Sequence, residues 1–211
     1  MPRVDLHLHT GRYSQCAECL DPYAIEEHAV RAGVDGVLLT EHDMSWQDEE
    51  VELLRRRSPR VRIFRGVEVS ARGCHLLVVG VDDAGPLLRG ARLEQVAAFA
   101  RSRGAAVVLA HPFRDGPLRG LPLELVDAVE VWSTSFTRDE ARRARRLARR
   151  LGKPQVAGSD AHAPHQVGFA WTELPTLPAN ELELAAAIRS GLGKPSLPAR
   201  ARPGQSEARG P

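Results

Sequence analysis

Cysteine is scarce in this chain of 211 residues: Cys16, Cys19 and Cys74 are the only three. So few thiols exclude a disulfide framework as the basis of the fold and make the cytoplasm the expected compartment. Long apolar runs are also missing. No stretch approaches the roughly 18 apolar residues of a membrane span, and the N-terminus carries no basic-then-apolar leader pattern, so neither membrane insertion nor export is expected. Lysine is almost absent too, with Lys153 and Lys194 the only two among 29 basic residues. The positive charge is therefore nearly all arginine, the better bidentate partner for phosphate or carboxylate. A net charge of +2 gives no field that would draw the whole chain onto a polyanion, so nucleic acid is expected only as a nucleotide or oligonucleotide substrate.

What is present fits one globular domain, with 43% hydrophobic and 27% charged residues. Val4-Asp5-Leu6-His7-Leu8-His9 alternates as a strand does. Asp21-Pro22 opens a helix that Gly33 closes. Strand patterns follow at 34–40, 61–69, 76–81, 105–110, 126–132 and 155–158, with helical spacing over 46–57, 93–100 and 141–151 between them. This alternation predicts an α/β domain with a largely parallel sheet closed into a barrel. The domain is expected over residues 1–192. After Leu192 the sequence loses any periodic apolar face, and 193–211 is expected to be a disordered Pro/Gly/Ala/Arg tail.

The histidines fall at strand ends. His7 and His9 end the first strand, His42 follows the second, Glu68 ends the third, His75 begins the fourth, His111 ends the fifth, and Asp160 and His162 follow the seventh. In parallel α/β folds the carboxyl ends of the strands share one face, and ligands bind there. Six imidazoles and two carboxylates gathered on that face without a cation would leave polar groups unsatisfied, whereas divalent metals require this mixture of N and O donors. Any one of these histidines alone reads more simply as a satisfied surface or core residue; the set does not. His28, inside the first helix, and His165, in a loop, take the simpler reading.

The segments Asp5-Leu6-His7-Leu8-His9-Thr10, Leu39-Thr40-Glu41-His42-Asp43, Gly66-Val67-Glu68-Val69-Ser70, His75-Leu76-Leu77, Ala110-His111-Pro112-Phe113 and Gly158-Ser159-Asp160-Ala161-His162 together resemble the PHP (polymerase and histidinol phosphatase) metallohydrolases. The resemblance implies a distorted (β/α)7 barrel with the metal site at the C-terminal ends of the strands, holding two or three divalent ions, zinc, manganese or iron. It implies that His7, His9, Glu68 and Asp160 bind a first ion. Glu68 would bridge to a second ion held by His75 and His111, and His42 and His162 would bind a third. The family usually has an acid or histidine about half a dozen residues after the His-x-His pair; here Gln15 stands in that place, so the third site is expected to be weakened unless Cys16, Glu18 or Cys19 completes it.

The expected activity is that of a metal-dependent phosphoesterase acting on a small phosphorylated substrate through a hydroxide that bridges two cations. Asp160 and His162 are the candidate proton carriers. Arg114, three residues past His111, is placed to pair with phosphate oxygens, its plainer alternative being a solvated loop arginine. Cys16-Ala17-Glu18-Cys19 admits three readings: a dithiol redox pair, a metal contact, or an ordinary loop. The arginines from Arg142 to Arg150 read as the solvated face of a helix. Three rivals stand beside the phosphoesterase: a metallohydrolase of C–N or C–O bonds, a non-catalytic metal-binding regulatory module, and a nuclease-like activity of the kind associated with polymerases, ranked below a small-molecule phosphatase because the sequence shows no polymerase domain and no net basic surface.

Overall fold

The computed structural model describes residues 1–82, 89–114 and 116–196. In chain order they form β1 (Arg3–Leu8), α1 (Ile25–Ala32), β2 (Gly36–Leu39), α2 (Asp48–Arg57), β3 (Arg62–Ala71), β4 (Cys74–Val79), α3 (Leu93–Ser102), β5 (Ala106–Ala110), β6 (Ala128–Glu130), α4 (Arg138–Leu151), β7 (Gln155–Val156), β8 (Thr172–Glu173), α5 (Glu181–Ser190) and β9 (Lys194–Pro195). All nine strands join one sheet in the order β7-β6-β5-β4-β3-β2-β1-β8-β9. The segment that follows β7 then runs beside β1, where Asp160 N donates to His7 O at 2.7 Å and His9 N to Ala161 O at 3.0 Å, so the sheet curls into a nearly closed barrel. The expected distorted α/β barrel is the observed fold.

The sheet is less parallel than the pattern predicts. β1, β2 and β3 pair in parallel, as do β5, β6 and β7, but β4 is antiparallel to both β3 and β5. The Arg72-Gly73 turn, with Gly73 at φ 80°, reverses the chain after β3 and leaves no room for a crossover helix. β8 and β9 are further antiparallel strands of two residues each, too short to leave a periodic signal in the sequence. β9 also moves the end of the domain: the expected boundary at 192 would cut off Lys194–Pro195, which pair with β8. Of the expected tail, 197–211 lie outside the described residues.

Three apolar clusters define the layers. Val4, Leu6, Leu38, Phe64, Leu77 and Val108 fill the barrel interior, and Leu184, Ala185 and Ile188 of α5 close its floor. Outside, α3 and α4 pack on β3 to β6, while α1 and α2 cover β1 to β3. α4 starts at a capping box in which Thr137 Oγ1 accepts from Glu140 N (3.2 Å) and Glu140 Oε2 accepts from Thr137 N (2.8 Å). It ends at Gly152, whose φ of 64° terminates the helix in the left-handed region.

Candidate metal centre

Local backbone irregularities aim the site residues. Val4 and Leu6 of β1 point into the barrel, but the pairing of β1 with β2 shifts register between Asp5 and Leu8, and Leu8 then packs outside against α1 and α2. The bulge exchanges the faces, so His7 and His9 turn inward above the apolar plug. On β3 no shift is needed, because Phe64 and Glu68 share one face by simple alternation. His75 lies at the start of β4; since β4 runs backwards, that start reaches the same face as the ends of its parallel neighbours. Among the described residues, Asp43, His111 and Asp160 are the non-glycine positions with positive φ, at 53°, 21° and 55°. All three lie in or beside the site, the places where such strained backbone concentrates.

The eight predicted ligands converge. Their donor atoms form three groups: His7, His9, Glu68 and Asp160; Glu68, His75 and His111; and His9, His42 and His162, with the atoms of each group within 4.8 Å of one another. Glu68 is the centre. Its Oε1 is 2.7 Å from His75 Nδ1 and 2.8 Å from His111 Nε2. Its Oε2 is 3.0 Å from His42 Nδ1, 3.1 Å from His9 Nε2 and 3.3 Å from His7 Nε2.

At two carboxylate oxygens, close approach is not hydrogen bonding. Glu68 Oε2 and Asp160 Oδ1 are buried and have no partner of acceptable hydrogen-bond geometry, although imidazole nitrogens surround them. His7 Nε2 and His9 Nε2 face each other at 3.1 Å. Donors aimed at the gaps between one another, with orphaned carboxylate oxygens among them, fit divalent cations and fit little else. Burial pushes the Glu68 carboxyl up, but the charge of His7, the hydrogen bond from His111 and the close approach of His42 outweigh it and hold the group well below the usual carboxylate range. Asp160 is likewise raised by burial and carried below its ordinary value by His7 and His9. Both are thereby held in the anionic form.

A surrounding set of carboxylates, not anticipated from the sequence, orients this shell. Glu130, buried at the end of β6, receives His7 Nδ1 at 3.0 Å and the backbone N of His111 at 2.8 Å. It thereby directs His7 Nε2 at the first group, the usual role of a carboxylate behind a metal-binding histidine. Glu41 accepts from Ser14 Oγ (2.5 Å), Thr10 N (3.1 Å) and Trp46 Nε1 (3.0 Å), fixing the loop that follows His9. Asp5 accepts from the backbone of His7, Ser159 and Gly168, which ties β1 to the segment carrying Asp160. Burial raises the Asp5 carboxyl to about 6 against those hydrogen bonds. His162 offers Nδ1 to its neighbour's backbone, Asp160 O at 2.9 Å, which leaves Nε2 for the third group.

Arg114 lies at the mouth, its Nη1 3.1 Å from Asp160 Oδ2 and its Nη2 3.5 Å from His75 Nδ1. Gln15 is exposed in the short turn Gln15–Ala17 and belongs to none of the three groups; its neighbour Ser14 faces inward, with Oγ 3.4 Å from His9 Nδ1. Cys16 and Cys19 are exposed free thiols, and Cys19 Sγ lies 3.5 Å from His162 O. Glu18 is exposed on the same loop. His28 and His165 stand apart from the groups.

Comparison with known proteins agrees with this fold. Residues 138–192 match a family model described as PHP-associated. Among solved structures, PsfC from Pseudomonas syringae superposes with a TM-score of 0.70 at 23% identity, covering 94% of this chain and 93% of that one. A protein from Bifidobacterium adolescentis described as a metal-dependent phosphoesterase gives 0.58 at 15% identity, covering 77% and 88%. The lesion-specific endonuclease EndoQ from Pyrococcus furiosus gives 0.56 at 17% identity, covering 90% of this chain and 56% of the longer endonuclease. At such identities these likenesses speak for the fold. A search of curated proteins found no match. The PHP-associated match lies over α4 and α5, and the superpositions show that the chain shares its overall fold with these structures.

Proposed function

We propose that the chain is a metal-dependent phosphoesterase that hydrolyses a small phosphorylated substrate. The observation that carries this reading is the Glu68 carboxylate, divided between two groups of ligands: one oxygen faces His75 and His111, the other His7, His9 and His42. A carboxylate so divided suits two ions held side by side, by His7, His9, Glu68 and Asp160 and by Glu68, His75 and His111. Divalent ions at those places supply a water ionised near neutrality and positive charge for the phosphate. A third ion would rest on His42 and His162 with His9, a set of imidazoles alone, since Gln15 is exposed.

The chain's own groups account for the rest. Arg114, at the rim beside Asp160 and His75, is positioned to pair with the phosphoryl oxygens and hold the ester in line. Asp160, kept ionised, accepts a proton from the attacking water. As the new P–O bond forms, the bond to the leaving oxygen breaks, and the proton taken up by Asp160 passes through His162 Nε2 to that oxygen, a role open to His162 only while Nε2 holds no third ion. Glu130 and Asp5 hold His7 and the Asp160 segment in register throughout.

The test is a substrate panel on protein loaded with manganese, zinc or iron, comprising phosphomonoesters, phosphodiesters, carboxylic esters and amides. Metal-dependent release of phosphate or nucleotide is the expected result. Turnover confined to esters or amides of carboxylic acids would reject the phosphoester reading and leave a metallohydrolase. Full metal content with no turnover on any member would favour a regulatory module.

A further inference from the structure

The feature this reading leaves unused is the outer face of α4. Seven arginines lie between Arg138 and Arg150, and at 100° per residue all of them fall within an arc of about 160°. The opposite face buries Ala141, Ala144, Leu147 and Ala148. The helix has two acids and both are engaged, Asp139 with Arg142 at 3.1 Å and Glu140 in the capping box. Arg146, Arg149 and Arg150 are exposed and have no acidic partner among the described residues. A solvated helix face usually alternates its signs; past Asp139 this one repeats a single sign from Arg142 to Arg150, over about 12 Å, the rise of roughly three to four stacked nucleotides.

The face leads to the metal centre. Because α4 follows β6, it begins at the mouth of the barrel, where Thr134 N donates to Ser159 O at 2.9 Å and Thr134 Oγ1 to Asp160 O at 3.3 Å. One turn into the helix, the Arg143 guanidinium covers the Phe113 ring at 4.1 Å, and Phe113 stands between His111 and Arg114. Arg114 completes the cationic track at Asp160. Beside the start of α4, the Trp132 ring lies 5.7 Å from Phe169 and 6.4 Å from Phe136, and Phe169 is 49% exposed. Arginines that follow a backbone, with an aromatic ring open to stacking, are the two elements of single-strand recognition.

We propose that the arginine face of α4, together with Phe169, binds a short single strand of nucleic acid and delivers one of its phosphoesters to the metal centre. The inference rests on the phosphoesterase reading and names the substrate class for it, an oligonucleotide. A flexible strand suits this surface better than a flat anionic membrane, because α4 descends the flank of the barrel away from the mouth. A strand bends from flank to mouth, whereas a plane laid on α4 would leave the mouth edge-on.

The experiment measures fluorescence anisotropy of a labelled ten-nucleotide single strand with phosphorothioate linkages, using metal-loaded full-length protein across a salt series. One variant reverses the face, Arg146→Glu with Arg149→Glu and Arg150→Glu. A second makes the same change of net charge elsewhere, Arg31→Glu with Arg56→Glu and Arg101→Glu. The first should weaken binding at least tenfold and lower the salt slope by about 2, from three lost phosphate contacts at about 0.7 each. The second should weaken it less than threefold. Phe169→Ala should cost at least about fivefold through lost stacking. Equal losses in the two triple variants would overturn the proposal, as would vesicles of anionic phospholipid binding where the oligonucleotide does not. Oligonucleotide binding without hydrolysis of any phosphoester would refute the phosphoesterase reading, and hydrolysis of small esters without oligonucleotide binding would refute only the surface.

Discussion

Glu130→Gln isolates the contribution of a residue that belongs to neither ion group but holds one member of each. In the parent, the buried carboxylate accepts from His7 Nδ1 at 3.0 Å and from His111 N at 2.8 Å. Glutamine keeps the shape but replaces one acceptor with an NH2 donor. If its oxygen stays on His111 N, the amide faces His7 Nδ1, and His7 escapes a donor–donor clash only by moving its proton to Nε2. Nε2 is the atom aimed at the first ion group, so an ion bound there would force the remaining proton onto Nδ1 against the amide donor, a clash that the parent carboxylate does not impose. Loss of such a supporting carboxylate costs about 10- to 100-fold in metal affinity, or about 1.4 to 2.7 kcal/mol. Competition titration against a chromogenic zinc chelator, with a circular dichroism melt to verify folding, measures this directly. Affinity within twofold of the parent in a folded variant would show that Glu130 does not set the His7 tautomer.

Glu68→Gln should lower phosphoesterase activity by at least 100-fold while His28→Gln changes it little, since His28 lies in α1 outside the ion groups; comparable rates in two folded, metallated variants would show the site to be misplaced. Arg114→Ala should cost about 1.5 to 3 kcal/mol of kcat/KM, appearing mainly in KM, as expected for a charged hydrogen-bonding group at the rim; an unchanged KM in steady-state kinetics would remove it from substrate binding. Gly158→Ala should cost at least about 3 kcal/mol in urea unfolding or abolish soluble expression, because the new Cβ would lie 2.4 Å from His7 N and 2.7 Å from His7 Cβ; a parental midpoint would show that the β1 seam yields. Chelation should lower the melting temperature by several degrees and excess manganese or zinc should restore it, whereas identical melts would mean that no ion stabilises the fold.

The converging histidines were legible because each sits at the edge of an apolar strand pattern, and the barrel was legible from the alternation of those patterns with helical ones. What escaped was geometric. Alternation along β1 places Leu6 and Leu8 on one face; the bulge between Asp5 and Leu8 separates them and turns His7 and His9 inward. Nothing in His75-Leu76-Leu77 announces that β4 runs backwards. Glu130 looks like any acid ending a short strand, and Asp5 and Glu41 like ordinary residues beside motif histidines, because their partners lie far away in the chain: Asp5 meets Ser159 and Gly168. The arginines of α4 were visible as a helix face, but their course toward Arg114 depends on the stacking of Arg143 on Phe113.

The reversed strand also divides the metal centre by the order in which it can be assembled. Glu68, His75 and His111 come from β3, β4 and β5, a contiguous antiparallel meander that needs only neighbouring pairings to form. His7 and His9 meet Asp160 only when the two ends of the sheet come together, a loop closed across most of the chain. One half of the centre is therefore local and the other topological. A nascent or partly opened chain retains a foothold for one cation, while the other group exists only in the shut barrel. An ion held by His7, His9 and Asp160 would act as a clasp between β1 and the segment that follows β7, and its removal is expected to loosen that seam first.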